Sequence, residues 1–153
     1  MNTTVPPNRI AGSVPAILIG GLIAGTLDAL SAFYTYGWGM PRGVASGLLG
    51  RSAFQGGTAT WILGLALHYL IAISAAAVYY AGSRRLRFLV ENPIVCGLFY
   101  GIAVFLAMNL IVLPLSAIHL RGPFQYAGLV RGILVHMFFV GLPIALSVRR
   151  YST

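Results

Sequence analysis

The sequence is poor in charge, and above all in acidic side chains. Asp28 and Glu91 are the only acids among 153 residues, and all ten basic residues are arginine. Charged residues make up 8% of the chain and hydrophobic residues 58%, with a mean hydropathy of +0.86. A water-soluble domain of this length could not bury so much apolar surface. We therefore expect an integral membrane protein whose main partner is the lipid bilayer.

Other absences exclude familiar kinds of site. Cys96 is the only cysteine, so an internal disulfide is impossible and an iron–sulfur centre is not expected. The sequence has no nucleophile with a matched base and no paired carboxylates, and the glycines between Gly43 and Gly50 lack the Lys-Ser/Thr ending of a phosphate-binding loop. No enzyme activity is predicted. A nucleic-acid partner is not predicted either, because the arginines cluster at the ends of apolar segments instead of forming a long basic face.

Four apolar segments have the length that a membrane-spanning helix needs, about 20 residues. They are residues 14–36, 58–82, 93–117 and 127–148. We expect a flexible tail at 1–13 and a single membrane domain at 14–150, and we expect short interfacial or re-entrant helices at 41–54 and 114–124. Arginines are more numerous on the side that carries the two termini, which predicts that both termini are cytoplasmic.

An internal repeat organises the chain. The pattern R-x-x-F-Q followed by G-x-x-x-H occurs twice: first as Arg51, Phe54, Gln55, Gly64 and His68, and again as Arg121, Phe124, Gln125, Gly132 and His136. Repeat one covers 14–87 and repeat two covers 91–150. The predicted fold is therefore an all-α bundle of four transmembrane helices, built from two pseudo-repeated hairpins that each carry a short interfacial helix.

Small residues recur at helical spacing along each span. Because helices in lipid associate through close backbone approach, glycines on one face predict helix-packing surfaces. The predicted packing glycines are Gly21, Gly25, Gly64, Gly97, Gly101, Gly128 and Gly132. A four-helix unit with such surfaces is expected to form a homo-oligomer or to be a small subunit of a larger membrane complex.

Each span also carries one polar group at a similar depth. At about 1.5 Å per residue, Asp28, His68, Asn109 and His136 lie roughly 20–24 Å from the inner surface, with Arg131 about one turn further out. Ionisable side chains at that depth are costly and mark candidate functional sites. These four groups and Arg131 are the predicted ion or proton pathway, or ligand-binding site.

Three interpretations of this polar layer remain open. The groups can serve only as hydrogen-bond partners between helices, with Asp28 paired to Arg131. They can form a proton or solute pathway, since imidazole beside a carboxylate exchanges protons near physiological pH. His68 and His136 can instead hold a b-type haem, a quinone or a metal ion. The leading hypothesis is a small channel or transporter-like protein with no cofactor, ahead of an electron-transfer subunit and a structural subunit.

The second half of the chain resembles the small bacterial inner-membrane proteins of the YagU type. The resemblance is carried by Gly97-x-x-x-Gly101, Met108 followed by Pro114-Leu115, the region from Gly132 to His136 and the closing Arg149-Arg150, with weaker support from His68 and Tyr79-Tyr80. It implies a protein of the bacterial inner membrane with a link to acid tolerance, and it supplies no site residue or substrate.

Overall fold

A computed structural model describes residues 12–119 and 126–152, which are almost entirely helical with no strand among them. The helices are α1 (Ser13–Tyr36), α2 (Met40–Leu49), α3 (Thr58–Ser83), α4 (Phe88–Glu91), α5 (Pro93–Ala107), α6 (Leu113–Leu115), α7 (Tyr126–Val135) and α8 (Leu142–Ser152). Four helical runs in this part of the chain, beginning at Ser13, Thr58, Pro93 and Tyr126, are long and apolar enough to cross a membrane. The predicted all-α fold with four membrane-length helices is confirmed.

Proline and glycine fix several of the helix ends. Pro41 and Pro93 lie in the first turns of α2 and α5, where a missing N–H costs no helical hydrogen bond. Gly37 and Gly50 follow the ends of α1 and α2 with φ of 64° and 65°, a backbone conformation that favours glycine. The chain can therefore leave α1, turn sharply and begin α2 within four residues.

Two spans contain a π-helical segment. The first π segment (Met108–Val112) joins α5 to α6, and the second (His136–Gly141) joins α7 to α8. Each ends two residues before a proline, Pro114 or Pro143. A proline ring inside a helix displaces the carbonyl four residues earlier, and a wider turn accommodates it. Pro143 is thus preceded by a π segment in an otherwise continuous helix.

Successive spans run antiparallel, which brings both ends of the described chain to one end of the bundle. Ser147 Oγ on α8 donates a 3.0 Å hydrogen bond to the carbonyl of Ala16 on α1, and a side chain at Gly12 would meet the backbone of Tyr151. We call this the termini end and the opposite one the mouth end. Whether the termini end faces the cytoplasm stays a prediction.

A cluster of buried apolar side chains lies in the half nearer the termini end. There α1 packs on α3 and α8, and α5 packs on α8 and the second π segment. Their buried side chains form one cluster, the termini core, which consists of Ala16, Ala24, Ala76, Tyr79, Val140, Ile144, Ala145 and Val148. This core fills the space between the spans at that end.

At the mouth end, α2 lies across the bundle. Its start packs on α3, where a Cβ at Gly64 would stand 2.5 Å from the carbonyl carbon of Pro41. Near its other end, Gly47 O accepts a 2.8 Å hydrogen bond from the N–H of Ala117, in the turn after α6. A short helix thus exists where one was predicted at 41–54, and whether it lies in the membrane interface stays a prediction.

The second half has no matching helix in the part that the structure describes. Residues 116–119 form a turn, and residues 120–125 lie outside the described residues. Pro114 lies within a continuing helical run that ends at Leu115 instead of opening a new helix. The internal repeat therefore also stays a prediction.

Candidate functional site

A cavity of about 1000 Å³ lies between the spans on the mouth side of the termini core. We call it the central cavity. It is partly enclosed and its lining residues are mostly apolar, with contributions from α1, α2, α3, α5, α7 and both π segments. Its floor includes Ala24 and Val140, which also belong to the termini core. All five residues of the predicted polar layer line this cavity, namely Asp28, His68, Asn109, Arg131 and His136.

Asp28 and His68 face each other across the contact between α1 and α3. His68 Nε2 lies 2.8 Å from Gly25 O and 4.0 Å from Asp28 Oδ2. A carbonyl oxygen only accepts hydrogen bonds, so Nε2 carries the proton and donates it to Gly25 O. In the neutral ring, Nδ1 is then a free acceptor. The side chains of His68 and Asp28 are 11% and 21% exposed, so both polar groups lie largely away from solvent.

Asn109 and His136 occupy the two π segments on the other side of the cavity. Asn109 Nδ2 donates to Phe105 O at 2.8 Å, and His136 Nδ1 lies 2.9 Å from Gly132 O, which fixes Nδ1 as the donor. Both bonds reach back four residues. In a π turn, a backbone N–H bonds the carbonyl five residues earlier instead of four, so one carbonyl is left without a backbone donor. The side chains of Asn109 and His136 donate to carbonyls in this way.

Phe105 contacts both of these polar residues, Asn109 through its backbone carbonyl and His136 through its ring. It packs edge-on against the His136 ring with centroids 5.3 Å apart. Gly132 is required for this arrangement, since a Cβ there would collide with the Phe105 ring. His136 is thus held at its Nδ1 by a carbonyl and along its ring by an aromatic neighbour. Its Nε2 has no hydrogen-bond partner in the described part of the chain and remains an acceptor.

Arg131 lies on α7 between the mouth and His136, and its side chain is exposed. The purely structural interpretation of the polar layer pairs Asp28 with this arginine. Among the described residues, however, the basic side chain within 4.0 Å of Asp28 is that of His68, and no salt bridge joins Asp28 to Arg131. The reason is that Asp28 is directed toward α3, whereas Arg131 lies on the span beyond the cavity. The guanidinium therefore lines the cavity without a carboxylate from the same chain.

The ring geometry bears on the haem hypothesis. A histidine that binds haem iron commonly does so through Nε2 while Nδ1–H is fixed by a carbonyl. His136 has that arrangement, whereas His68 has its Nε2 occupied by Gly25 O. The two histidines therefore do not fit as a pair of axial ligands. In the described residues, no group of three His, Cys, Asp or Glu side chains is placed to hold a metal ion.

Six of the seven predicted packing glycines lie at close contacts between helices. Gly21 and Gly25 meet Ile73, Tyr69 and Ala72 on α3; Gly64 meets Pro41; Gly97 and Gly101 meet α8 and the second π segment; and Gly132 meets Phe105. Gly128 differs, because it lines the cavity and a Cβ there would meet no atom within 4 Å. Gly128 therefore packs against no other helix within the described chain.

The residues of the repeat motif divide between described and undescribed parts. Arg51, Phe54 and Gln55 are exposed in a 3-10 helix that follows α2, and Phe54 lines the central cavity. Arg121, Phe124 and Gln125 lie outside the described residues.

Sequence reasoning missed two groups of site residues. Phe105 was not among the predicted site residues, and α2 was not expected to line the cavity through Met40, Val44 and Leu48. The π segments were also missed. A signal for them exists in the sequence, since Asn109 and His136 each lie one to two turns before a proline inside an apolar span.

Comparisons of the chain with protein-family models, with curated proteins and with solved structures found no match. The resemblance to the YagU type therefore stays a prediction from the residues that carry it, and the functional argument rests on the geometry of the cavity.

Proposed function

We propose that the protein is a small transporter-like membrane protein that takes protons or a small solute into the central cavity. The observation that carries this proposal is the convergence of Asp28, His68, Asn109, Arg131 and His136 on one cavity that ends on a packed core. A large, mostly apolar cavity with a few convergent polar groups is the usual form of a small-molecule site. Purely structural polar contacts need no such space around them.

The floor of the cavity favours a transporter over an open channel. Ile144 and Val148 are fully buried beneath it, and Val140 is 5% exposed. A continuous water path toward the termini end is therefore blocked by close-packed apolar side chains. Passage of a solute requires the helices to separate at this floor, as in alternating access between two halves.

The two hairpins supply the moving halves in this proposal. In each hairpin, the second glycine of a Gly-x-x-x-Gly pair lies against the histidine of the partner helix: Gly25 O accepts from His68, and Gly101 packs on the His136 backbone. This likeness supports descent from a repeated hairpin. Among the described residues, five exposed arginines lie at the termini end and two, Arg51 and Arg131, lie toward the mouth. This excess supports cytoplasmic termini in a bacterial inner membrane.

Three matched serine-to-cysteine variants test the proposal. In a Cys96→Ala background, Ser31→Cys lines the cavity, Ser147→Cys is buried between α1 and α8, and Ser74→Cys is exposed on α3 outside the cavity. Each is treated with a membrane-impermeant thiol reagent on either side of sealed vesicles. We expect Ser31→Cys to react from the mouth side, Ser147→Cys to react more slowly from the termini side, and the lipid-facing Ser74→Cys to react from neither.

Two results would contradict the proposal. Protection of Ser31→Cys from both sides would mean that the cavity holds no water. Reaction at Ser31→Cys with complete protection of Ser147→Cys would mean that the floor never opens, and that the cavity belongs to a binding protein without transport.

A further inference from the structure

The charge distribution around the central cavity has an unusual feature. Asp28 and Glu91 are the only acidic side chains of the whole sequence. Glu91 ends α4, at the termini end, and Asp28 lies 4.0 Å from His68 Nε2. Arg131 thus has no carboxylate partner among the described residues, although it lines a mostly apolar cavity. A permanent positive charge in such surroundings favours the entry of an anion.

The size and lining of the cavity narrow the class of anion. A space of about 1000 Å³ is far larger than an inorganic anion fills, and apolar side chains such as Val44, Ile71 and Val112 provide most of its wall. The planar guanidinium of Arg131 matches the two oxygens of a carboxylate. A small organic acid with an apolar body can pair its carboxylate with the guanidinium and place its apolar part against the apolar wall.

The other ionisable groups of the cavity determine the net charge of its wall, and so its affinity for an anion. The cavity is lined by Asp28 and Tyr36 on α1, by His68 on α3, and by Arg131 and His136 on α7 and the second π segment. The described residues of α2 and α5 contribute no ionisable side chain to it. With Asp28 ionised and both imidazoles neutral, the charges of Asp28 and Arg131 cancel. One added proton then gives the cavity wall a net charge of about +1.

We infer that the central cavity binds a small organic carboxylate at Arg131 together with a proton held by the Asp28–His68 pair. This inference rests on the proposed transport function and names its substrate class. The two binding events are linked reciprocally, because the anion is attracted by the charge that the proton adds. The pair is suited to the proton, since Nδ1 of His68 is free to accept it while Asp28 lies 4.0 Å from Nε2.

Calorimetric titration of the full chain in detergent tests the inference. The probes are benzoate, its uncharged analogue benzamide, and nitrate as an inorganic anion. Titrations at neutral pH in two buffers of different ionisation enthalpy measure the protons taken up. We expect benzoate to bind with net proton uptake, and benzamide and nitrate to bind at least tenfold more weakly.

Variants locate the two charges. Arg131→Gln is expected to weaken benzoate binding tenfold or more, whereas Arg51→Gln, an exposed arginine outside the cavity wall, leaves it unchanged. Asp28→Asn makes the wall positive without a proton, so benzoate is expected to bind at least as tightly as to the unchanged protein, with reduced proton uptake. A merely structural Asp28 would not alter the proton count.

The inference is overturned by any of four outcomes: no binding of benzoate, equal binding of benzamide or nitrate, unchanged binding in Arg131→Gln, or unchanged proton uptake in Asp28→Asn. None of these measurements requires transport. Their failure would therefore leave the cysteine-accessibility result standing, and failure of that result would leave the calorimetry intact.

Discussion

Replacing Gly101 with alanine tests the closest approach of two helices beside the candidate site. A Cβ at this position would stand 2.6 Å from Met137 Cα and 2.6 Å from the carbonyl carbon of His136. Non-bonded carbon atoms prefer separations of about 3.5–4.0 Å. Both neighbours are backbone atoms that cannot rotate away, so α5 and the second π segment must separate by roughly 1 Å.

The magnitude follows from two opposing effects. Forcing one methyl group into a packed interior typically costs about 1–3 kcal/mol. Alanine recovers up to about 1 kcal/mol over glycine through its better helix propensity. Gly128→Ala is the matched control, because it makes the same change in α7 where a Cβ meets no atom within 4 Å. Because both variants gain the same helix propensity, we expect Gly101→Ala to be the less stable of the two by the overpacking cost alone, about 1–3 kcal/mol.

The free energy of unfolding can be measured by titrating sodium dodecyl sulfate into dodecyl maltoside micelles and following helicity by circular dichroism. The stabilities of Gly101→Ala and Gly128→Ala are compared with that of the unchanged chain. Equal stability of the two variants, or a more stable Gly101→Ala, would refute the close approach of α5 to His136 and with it the placement of that histidine.

Three further predictions concern hydrogen bonds around the site. Nitrogen-15 NMR is expected to find the neutral His68 ring protonated at Nε2 and the His136 ring at Nδ1; the same tautomer in both would contradict the assignment. His68→Leu removes the donor to Gly25 O and is expected to lower the free energy of unfolding by about 1–3 kcal/mol, and no loss would show that this bond is absent. Tyr100→Phe removes the 2.7 Å bond to Ala75 O between α5 and α3 and is expected to cost about 0.5–1.5 kcal/mol in the same assay, which an unchanged stability would contradict.

The spans were predictable because hydropathy and length alone decide them. The predicted first span begins at residue 14 and ends at 36, and α1 runs from Ser13 to Tyr36. Counting 1.5 Å per residue also predicted that Asp28, His68, Asn109 and His136 lie at one level, and the structure places all four on one cavity. Their roles remain proposals.

What escaped prediction depends on the direction of side chains and on contacts distant in sequence. The pairing of Asp28 with His68 instead of Arg131 follows from how α1 rotates against α3, which periodicity leaves undetermined. The π segments arise where a proline ring and a close neighbour act on the same turn, as at Gly141, where a Cβ would stand 2.8 Å from Gly101 Cα. The position of α2 across the mouth depends on its contact with Gly64. The sequence alone does not indicate which helix this glycine contacts.

The two ends of the bundle differ in what holds the hairpins together. At the mouth, a backbone hydrogen bond from Ala117 to Gly47 joins them, whereas the opposite end is sealed by a whole cluster of buried side chains. Breaking one such bond costs about 1 kcal/mol, while exposing a single large aliphatic residue costs roughly 1.5–3 kcal/mol. Under the proposed transport function, we therefore expect the state that is open at the mouth to be the more stable one, and separation of the termini core to be the slower step.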